Sequence, residues 1–203
     1  MASDYDALQR WRDGDMSAGD VLFRQHAKSA YRFFRSKIDG SVDDLVQETF
    51  ERCLSSSGSF KEDGSFRSWM FGVARHVLGD HLRKQYRGGD VFDLSVHSIV
   101  DSGTTPSKAV GRRREYQLLL AAMQRLPVDQ QIALELHYWE GMTGSEIATA
   151  LDCPEGTVRT HLRRGRLRLK EELTNAASSP EQAAALLAEL EQAVADARAS
   201  ADA

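Results

Sequence analysis

Positive charge is concentrated in one short segment of an otherwise acidic chain. Residues 153–170 read CPEGTVRTHLRRGRLRLK, whereas the whole chain of 203 residues has a formal net charge of -4. The basic or protonatable side chains of this segment are Arg159, His161, Arg163, Arg164, Arg166, Arg168 and Lys170. Clustered positive charge is the electrostatic footprint of a protein that binds nucleic acid. A solvated basic face on an ordinary helical bundle is the simpler alternative, and the neighbouring residues decide between the two.

The residues before this segment predict a helix-turn-helix. Thr143 stands three residues before Glu146, which is the pattern of a capping box at the start of a short helix. A tight turn at Asp152 and Cys153 follows, and Pro154 suits the first position of the next helix, where its missing N–H is not needed. A short capped helix, a turn and a basic helix together indicate a unit that places its second helix in the major groove of DNA.

The basic helix has two faces. Apolar residues recur at intervals of four and seven and predict the buried face: Val158, Leu162, Leu169 and Leu173. Gly165 lies between them and would permit the close approach of another helix. The predicted DNA-binding residues lie off that stripe: Arg159, Thr160, Arg163, Arg164 and Arg166. Those nearest the start of the helix are expected to reach base edges, and the later ones phosphates.

Composition limits the class of protein. The chain is 41% hydrophobic and 28% charged, which is typical of a soluble globular protein of one ordinary or two small domains. It contains no run of the roughly 18 apolar residues that a membrane helix needs. Its first residues are acidic and polar, unlike a secretory signal. Cys53 and Cys153 lie far apart and predict no disulfide framework, so the expected compartment is the cytoplasm.

The pattern along the chain predicts an all-α protein with two small helical domains, a linker and a helical tail. The first domain is expected at 4–87, the linker at 88–111, the second domain at 112–174 and the tail at 175–203. Ser41 is the expected N-cap of one helix in the first domain. The apolar piece of the linker, VFDLSVHSIV, is expected to dock on a surface.

The tail at 175–203 is acidic and rich in alanine. Ser179, Pro180 and Gln182 indicate a helix start, and an apolar face would follow: Leu186, Leu190, Val194 and Ala197. Three roles stay open for this helix. It would cover the basic DNA-binding face, bind a partner, or extend into solvent.

Two long stretches resemble one known family. LPVDQQIALELHYWEGMTGSEIATALDCPEGTVRTHLRRGRLRLKEEL resembles region 4 of a bacterial sigma-70 factor. VDDLVQETFERCL, followed by SFKEDGSFRSWMFGVARHVLGDHLRKQ, resembles region 2. Their order and spacing, over about residues 8–173, resemble the extracytoplasmic-function (ECF, group 4) sigma factors. The resemblance implies a transcription initiation factor that binds core RNA polymerase and directs it to promoters, without catalysis and without a metal or other cofactor.

The resemblance also implies binding residues. The clamp helices of the largest polymerase subunit would contact Asp43, Asp44, Leu45, Gln47, Glu48 and Phe50. The carboxylates of this set equally suit the first turn of a helix, where they oppose its dipole. Region 4 would touch the flap of the second large subunit and read the -35 element. The residues expected to read it are Arg159, Thr160, Arg163, Arg164 and Arg166.

Region 2 would melt and read the -10 element. The residues that the resemblance implies are Phe60, Lys61, Asp63, Phe66, Arg75, His76, Arg83 and Lys84. A base that leaves the stack needs an aromatic wall and polar groups, and this set offers both. Trp69 is expected in the core, and Arg87 beside phosphates. His76 stands where many relatives carry Asn, which leaves the favoured base open.

Other readings of the sequence remain. A helix-turn-helix regulator without a sigma role would need no region 2 and would form a dimer. An enzyme would need a catalytic or metal-binding motif, but the histidines show no metal-ligand spacing: His26, His76, His81, His97, His137 and His161. A protein that only captures another factor would not use its basic helix on DNA. For a sigma factor, the resemblance adds a possible anti-sigma partner and weak promoter binding until polymerase holds the domains apart.

Overall fold

The fold is all-α, as the sequence predicted. The computed structural model describes residues 3–61, 64–86, 91–102, 114–177 and 179–201. Within these ranges it has nine α-helices and no β-strand. They are α1 (Asp4–Arg12), α2 (Met16–Arg35), α3 (Asp43–Ser55), α4 (Phe66–Gln85), α5 (Arg114–Met123), α6 (Val128–Tyr138), α7 (Gly144–Leu151), α8 (Glu155–Ala176) and α9 (Pro180–Ala201).

The helix starts follow the sequence with two corrections. The capping box of α7 is confirmed, because the N–H of Glu146 donates to Thr143 Oγ1 at 3.3 Å and Thr143 N–H donates back to the Glu146 carboxylate at 2.8 Å. The prediction of Ser41 as an N-cap is wrong, since Val42 occupies that position and Ser41 Oγ instead donates to the Asp43 carboxylate. Pro154 is the N-cap residue of α8 rather than its first helical residue.

Helix α1 was not among the predicted helices, although the sequence carries a signal for it. Ser3 and Asp6 form a reciprocal capping box at its start. Trp11 near its end lies on Gly19 of α2, where an added Cβ would come within 2.5 Å of the indole nitrogen. Only glycine allows this approach, so α1 is fixed across the beginning of α2.

The centre of the molecule is α6, a helix of mixed polarity. All its residues from Val128 to Tyr138 are buried. A helix buried on every side is usually apolar all round. This one carries buried polar side chains at Asp129, Gln130, Gln131, Glu135 and His137. Burial of such groups requires polar partners from the surrounding elements.

Two lobes meet around α6. We call α1–α4 the N-terminal lobe and α5–α9 the C-terminal lobe. One continuous apolar core includes Phe34, Phe71 and Leu78 of the first and Ile132 and Leu151 of the second. The two predicted helical units therefore share a core in this conformation.

The described part of the linker, 91–102, packs between the two lobes, whereas the sequence predicted only that its apolar piece would dock on a surface. Phe92, Leu94 and Ile99 are buried in the shared core. The carbonyls of His97 and Leu94 accept the N–H groups of Val128 and Asp129 at 3.0 and 2.9 Å. The linker thus satisfies donors at the start of α6, where the N-cap Pro127 offers no side-chain acceptor.

Helix α9 packs on the C-terminal lobe through its apolar face. Ala183, Leu186 and Leu190 are buried in a second core cluster together with Leu169 and Leu173 of α8. The alternative of a solvated extension is therefore wrong. The alternative that the tail covers the basic helix face is also wrong for the described side chains, because the predicted DNA-binding residues of α8 are exposed.

Replacement of Leu186 by Ala should lower the free energy of unfolding by about 2–3 kcal/mol, because it leaves a cavity under α9. Denaturant unfolding followed by circular dichroism measures the change. Ala188, on the exposed face of the same helix, supplies the control. Ala188→Ser should cost no more than about 0.5 kcal/mol through helix propensity. Equal losses of unfolding free energy in the two variants would show that α9 does not pack on the lobe in solution.

Candidate nucleic-acid interface

The turn between α7 and α8 sets the orientation of the basic helix. Asp152 ends α7 in the left-handed region with φ 50°, a conformation that Asp tolerates better than most residues. The N–H groups of Asp152 and Cys153 donate to Thr149 and Ala148 carbonyls at 3.3 and 3.1 Å. The last carbonyls of α7 are thereby satisfied, and the chain turns directly into α8.

The buried face of α8 lies against α6. Val158, Leu169 and Leu173 are buried, as predicted. An added Cβ at Gly165 would lie 3.1 Å from a methyl carbon of Leu134, so glycine permits the close approach that the sequence suggested. Leu162 is half-buried. This packing fixes which side of α8 is presented to solvent.

The outward face of α8 carries the predicted DNA-reading side chains. Arg159, Thr160, Arg163 and Arg164 are exposed on its first half. Arg166 differs, because its guanidinium lies 5.4 Å from the ring centre of Tyr138 and one of its nitrogens lies 3.3 Å from His137 Nε2. Arg166 thus has partners on α6 as well as an exposed portion. Its role in DNA binding stays a prediction.

An aromatic cluster joins Phe60 to the first residues of α4. The ring of Phe60 is 5.1 Å from that of Trp69 and 5.8 Å from that of Phe66, centre to centre. Phe60 and Phe66 are buried, whereas Trp69 is half-buried and packs against the core. Lys61 is exposed, and Asp63 lies outside the described residues. In this conformation Phe60 and Phe66 lie in the core and are not presented to solvent.

The predicted -10 residues of α4 fall into two groups. His76, Arg83 and Lys84 are exposed. Arg75 is turned inward and makes a bidentate ion pair, in which Nε and Nη2 donate to the two carboxylate oxygens of Asp129 at 2.7 and 2.9 Å. Hydrogen bonding to Asp129 raises the pKa of Arg75. Arg87 lies outside the described residues.

Further ion pairs cross between the lobes. Glu140, just after α6, accepts hydrogen bonds from Ser29 Oγ at 2.9 Å, from Arg32 at 2.8 Å and from Arg67. Lys37 is fully buried and donates to Glu135. Burial lowers the pKa of Lys37, while the Glu135 carboxylate acts in the opposite direction. Sequence reasoning missed all these pairs because their partners lie far apart along the chain.

The predicted polymerase-binding residues lie on α3. Asp43, Asp44 and Gln47 are exposed, and Leu45 is half-buried. Glu48 pairs with Arg52 at 2.6 Å. Phe50 is buried, with its ring 5.0 Å from that of Phe23. The exposed members form an acidic surface, whereas Phe50 holds α3 on the lobe.

The described residues offer little else for chemistry. They contain no group of three or more His, Cys, Asp or Glu side chains placed to hold a metal ion. None of the helices in those ranges combines the length and the apolar character needed to cross a membrane. The fold and the exposed basic face of α8 define a helix-turn-helix DNA-binding protein with a second helical lobe.

Comparison with known proteins identifies the family. Residues 22–88 match sigma-70 region 2, and 116–169 match sigma-70 region 4. Together the two matches cover more than half of the chain, which belongs to the sigma-70 family. The chain is 29% identical over 168 residues to the ECF RNA polymerase sigma-E factor of Salmonella typhimurium, covering 78% of this chain and 88% of that one. It is 27% identical over 174 residues to the RNA polymerase sigma-H factor of Pseudomonas aeruginosa, covering 80% and 90%.

These matches make the protein an alternative sigma factor of the ECF group, as its sequence suggested. Solved structures share the fold. CnrH in complex with the cytosolic domain of CnrY aligns with a TM-score of 0.61 at 21% identity, over 86% of this chain and 99% of that chain. The sigma factor RpoE of Bartonella quintana, in complex with the anti-sigma factor NepR, aligns with a TM-score of 0.58 at 22% identity, over 76% and 96%.

The Lys37–Glu135 pair allows a test of the contact between the lobes. Lys37→Met should lower the free energy of unfolding by about 3–5 kcal/mol, because it leaves a buried carboxylate without its cation. The double variant Lys37→Met/Glu135→Leu should recover most of that loss, because neither charge remains. Urea unfolding of the unaltered chain, the two single variants Lys37→Met and Glu135→Leu, and the double variant measures the coupling energy between the two side chains. Independent, additive effects would show that the two side chains do not meet in solution.

Proposed function

We propose that this chain binds core RNA polymerase and directs it to promoters that carry a -35 element read by α8 and a -10 element read by α4 and the segment before it. The observation that carries the proposal is the presence of both regions in one chain. The chain combines a basic helix-turn-helix with a second lobe. That lobe carries an acidic surface, an aromatic cluster and exposed basic residues. A simple DNA-binding regulator needs only the first of these.

The -35 element would lie across the exposed half of α8. Arg159 and Arg163 are exposed on that half and would reach base edges, since Arg can donate two hydrogen bonds to guanine. The methyl group of Thr160 can contact a thymine methyl. Arg164 would meet phosphate, which contributes affinity and register but not sequence information.

The -10 element would lie on the N-terminal lobe. His76 projects from α4, while Arg83 and Lys84 at the end of the helix would follow the phosphate backbone. The aromatic cluster of Phe60, Phe66 and Trp69 would supply the aromatic wall for an unstacked base. A base pocket requires rearrangement of that segment, because two of these three rings are buried in the closed conformation.

Polymerase would dock on the acidic surface of α3 through its clamp helices, and region 4 would contact the flap. Asp43 and Asp44 are exposed and so remain available to a basic partner. An anti-sigma factor is a further expected partner, because the structural neighbour RpoE of Bartonella quintana is solved in complex with the anti-sigma factor NepR. The protein would act in the cytoplasm, where polymerase and DNA are, and by binding rather than by catalysis. The alternative is a helix-turn-helix regulator that acts without polymerase core binding.

Arg163→Ala should reduce run-off transcription about tenfold at a promoter with both elements, because one good base contact contributes about 1–3 kcal/mol. Run-off assays with purified core polymerase and a promoter library measure this. Lys170, exposed farther along α8, gives the matched control. Lys170→Ala should lower initiation less and equally across promoter sequences. Loss of the same size in both variants would contradict specific reading by the first half of α8.

Asp44→Arg should weaken binding to core polymerase at least tenfold, because it reverses the charge at the centre of the acidic surface. The control is Asp20→Arg, an equal change of charge at an exposed site on α2. Binding of labelled core polymerase, measured by fluorescence anisotropy, compares the two. If neither substitution alters binding, α3 is not the docking surface. If the unaltered chain does not bind core polymerase at all, the regulator alternative becomes the better account.

A further inference from the structure

A cavity of about 280 Å³ lies between α5, the end of α6 and α9, and we call it the tail cavity. Small-molecule sites in proteins have volumes of roughly 300–1,000 Å³, so the tail cavity has the size of a small one. Helix α9 lies outside both segments that match sigma-70 regions. None of the lining residues is among those predicted to bind DNA or the clamp helices. The tail cavity therefore lies beyond the proposed function.

Three leucines give the tail cavity its apolar lining: Leu119, Leu186 and Leu190. All three are buried and belong to the core cluster that holds α9 on the lobe. A ligand with an apolar body would cover more of this surface, and removal of apolar surface from water favours binding. The cavity walls come from α5 and α9, so such a ligand would contact the tail and the lobe at once.

Two aromatic side chains complete the walls. The rings of Tyr116 and Trp139 lie 6.3 Å apart, centre to centre, with an angle of 32° between their planes. Both residues are half-buried, so part of each remains open to a ligand. The face of an aromatic ring carries negative partial charge and attracts organic cations, and Trp does so most strongly.

Glu115 and Glu189 bring two carboxylates to the same cavity. Both residues are exposed, and neither forms an ion pair with another described side chain. The lining contains no Lys, Arg or His that would balance their charge. Aromatic faces and carboxylates therefore act in the same direction, because both favour a positive charge placed between them.

We propose that the tail cavity binds a small organic cation with an apolar body, an aryl- or alkylammonium. The ammonium group would lie near the two carboxylates and the aromatic rings, and the apolar body would lie against the leucines. A small molecule suits the site better than a protein partner does. The lining consists of seven residues around one concavity, whereas a stable protein interface engages roughly 20–30 residues on each side.

Isothermal titration calorimetry of the full-length chain at low ionic strength tests the inference, with benzyltrimethylammonium as the probe. Benzyl alcohol, which has the same ring but no charge, is the neutral control. The cation should bind with a dissociation constant of about 1 mM or less. It should bind at least about tenfold more tightly than benzyl alcohol, because the cation–π contact and the attraction to carboxylates both need the charge. Equal affinities for the two probes would overturn the inference.

Replacement of both carboxylates locates the bound cation. Glu115→Gln/Glu189→Gln should weaken binding of benzyltrimethylammonium about tenfold and leave that of benzyl alcohol unchanged. The matched control is Glu171→Gln/Glu181→Gln, which removes two exposed charges from α8 and α9 outside the cavity. Circular dichroism checks that both variants are folded. Equal weakening by the two variants would assign the cation to the general acidic surface and overturn the inference.

Trp139→Leu separates recognition of the cation from support of the fold. Leucine keeps an apolar lining but has no aromatic face, so the preference for benzyltrimethylammonium over benzyl alcohol should fall about threefold. A purely structural effect would weaken both probes equally and leave the preference unchanged. An unchanged preference in a variant that still binds both probes would contradict the inference.

A peptide tests the competing occupant, which is a basic side chain of a partner protein. Binding of N-acetyl-Gly-Arg-Gly-amide that is tighter than that of benzyltrimethylammonium would overturn the inference in favour of a protein partner. Weaker binding of the peptide is the expected result. All these titrations use the chain without polymerase or DNA, so their outcome is independent of the run-off transcription that tests the proposed function.

Discussion

The complete burial of a polar helix is the constraint on which the rest of this structure depends. Helix α6 carries carboxylates whose charge cannot be left unpaired in a core without a large cost. Asp129 and Glu135 are satisfied by Arg75 and Lys37 of the other lobe, and the linker supplies acceptors for the first N–H groups of α6. The closed conformation is therefore the state in which these two carboxylates have partners. The central position of α6 explains why two units that resemble separate regions share one core.

The nature of this contact bears on function. Buried ion pairs add little net stability compared with apolar packing, but removing one partner is costly. They therefore favour one particular docking of the lobes without making it irreversible. When the lobes separate, water can solvate the same charges, which an apolar contact of equal area would not allow. Such a contact holds the two lobes in one arrangement and leaves its charges open to solvation if the lobes part.

Much of this could be predicted from the sequence because it depends on local patterns. The helix-turn-helix was predicted from short-range sequence patterns. These patterns are the capping box at Thr143, the apolar stripe of α8 and the glycine at position 165. The start of α3 was misplaced because Ser41 satisfies its neighbour's carboxylate instead of the helix. The docking of the tail was left open since an apolar face does not reveal what it packs against.

The candidate site was predictable only in part. Residue types and spacing identified the exposed arginines of α8, whose environment is set by their own helix. Arg75 and Phe50 depended on contacts with distant segments, which sequence spacing does not encode. The sequence offered Arg75 as a DNA contact, whereas the structure places it on Asp129, 54 residues away. The role of Arg75 in DNA binding stays a prediction, because in this conformation Asp129 holds its guanidinium.

The distance between the lobes is the measurement that tests this account most directly. Spin labels at Lys28→Cys on α2 and Lys170→Cys on α8 occupy exposed positions on opposite lobes. Cys153 is replaced by Ala, whereas Cys53 can stay, because burial raises the pKa of its thiol to about 12 and leaves it unreactive. Double electron–electron resonance on the free chain should give one narrow distance, which lengthens when core polymerase is added. A broad distribution in the free chain, unchanged by polymerase, would contradict a closed state held by α6.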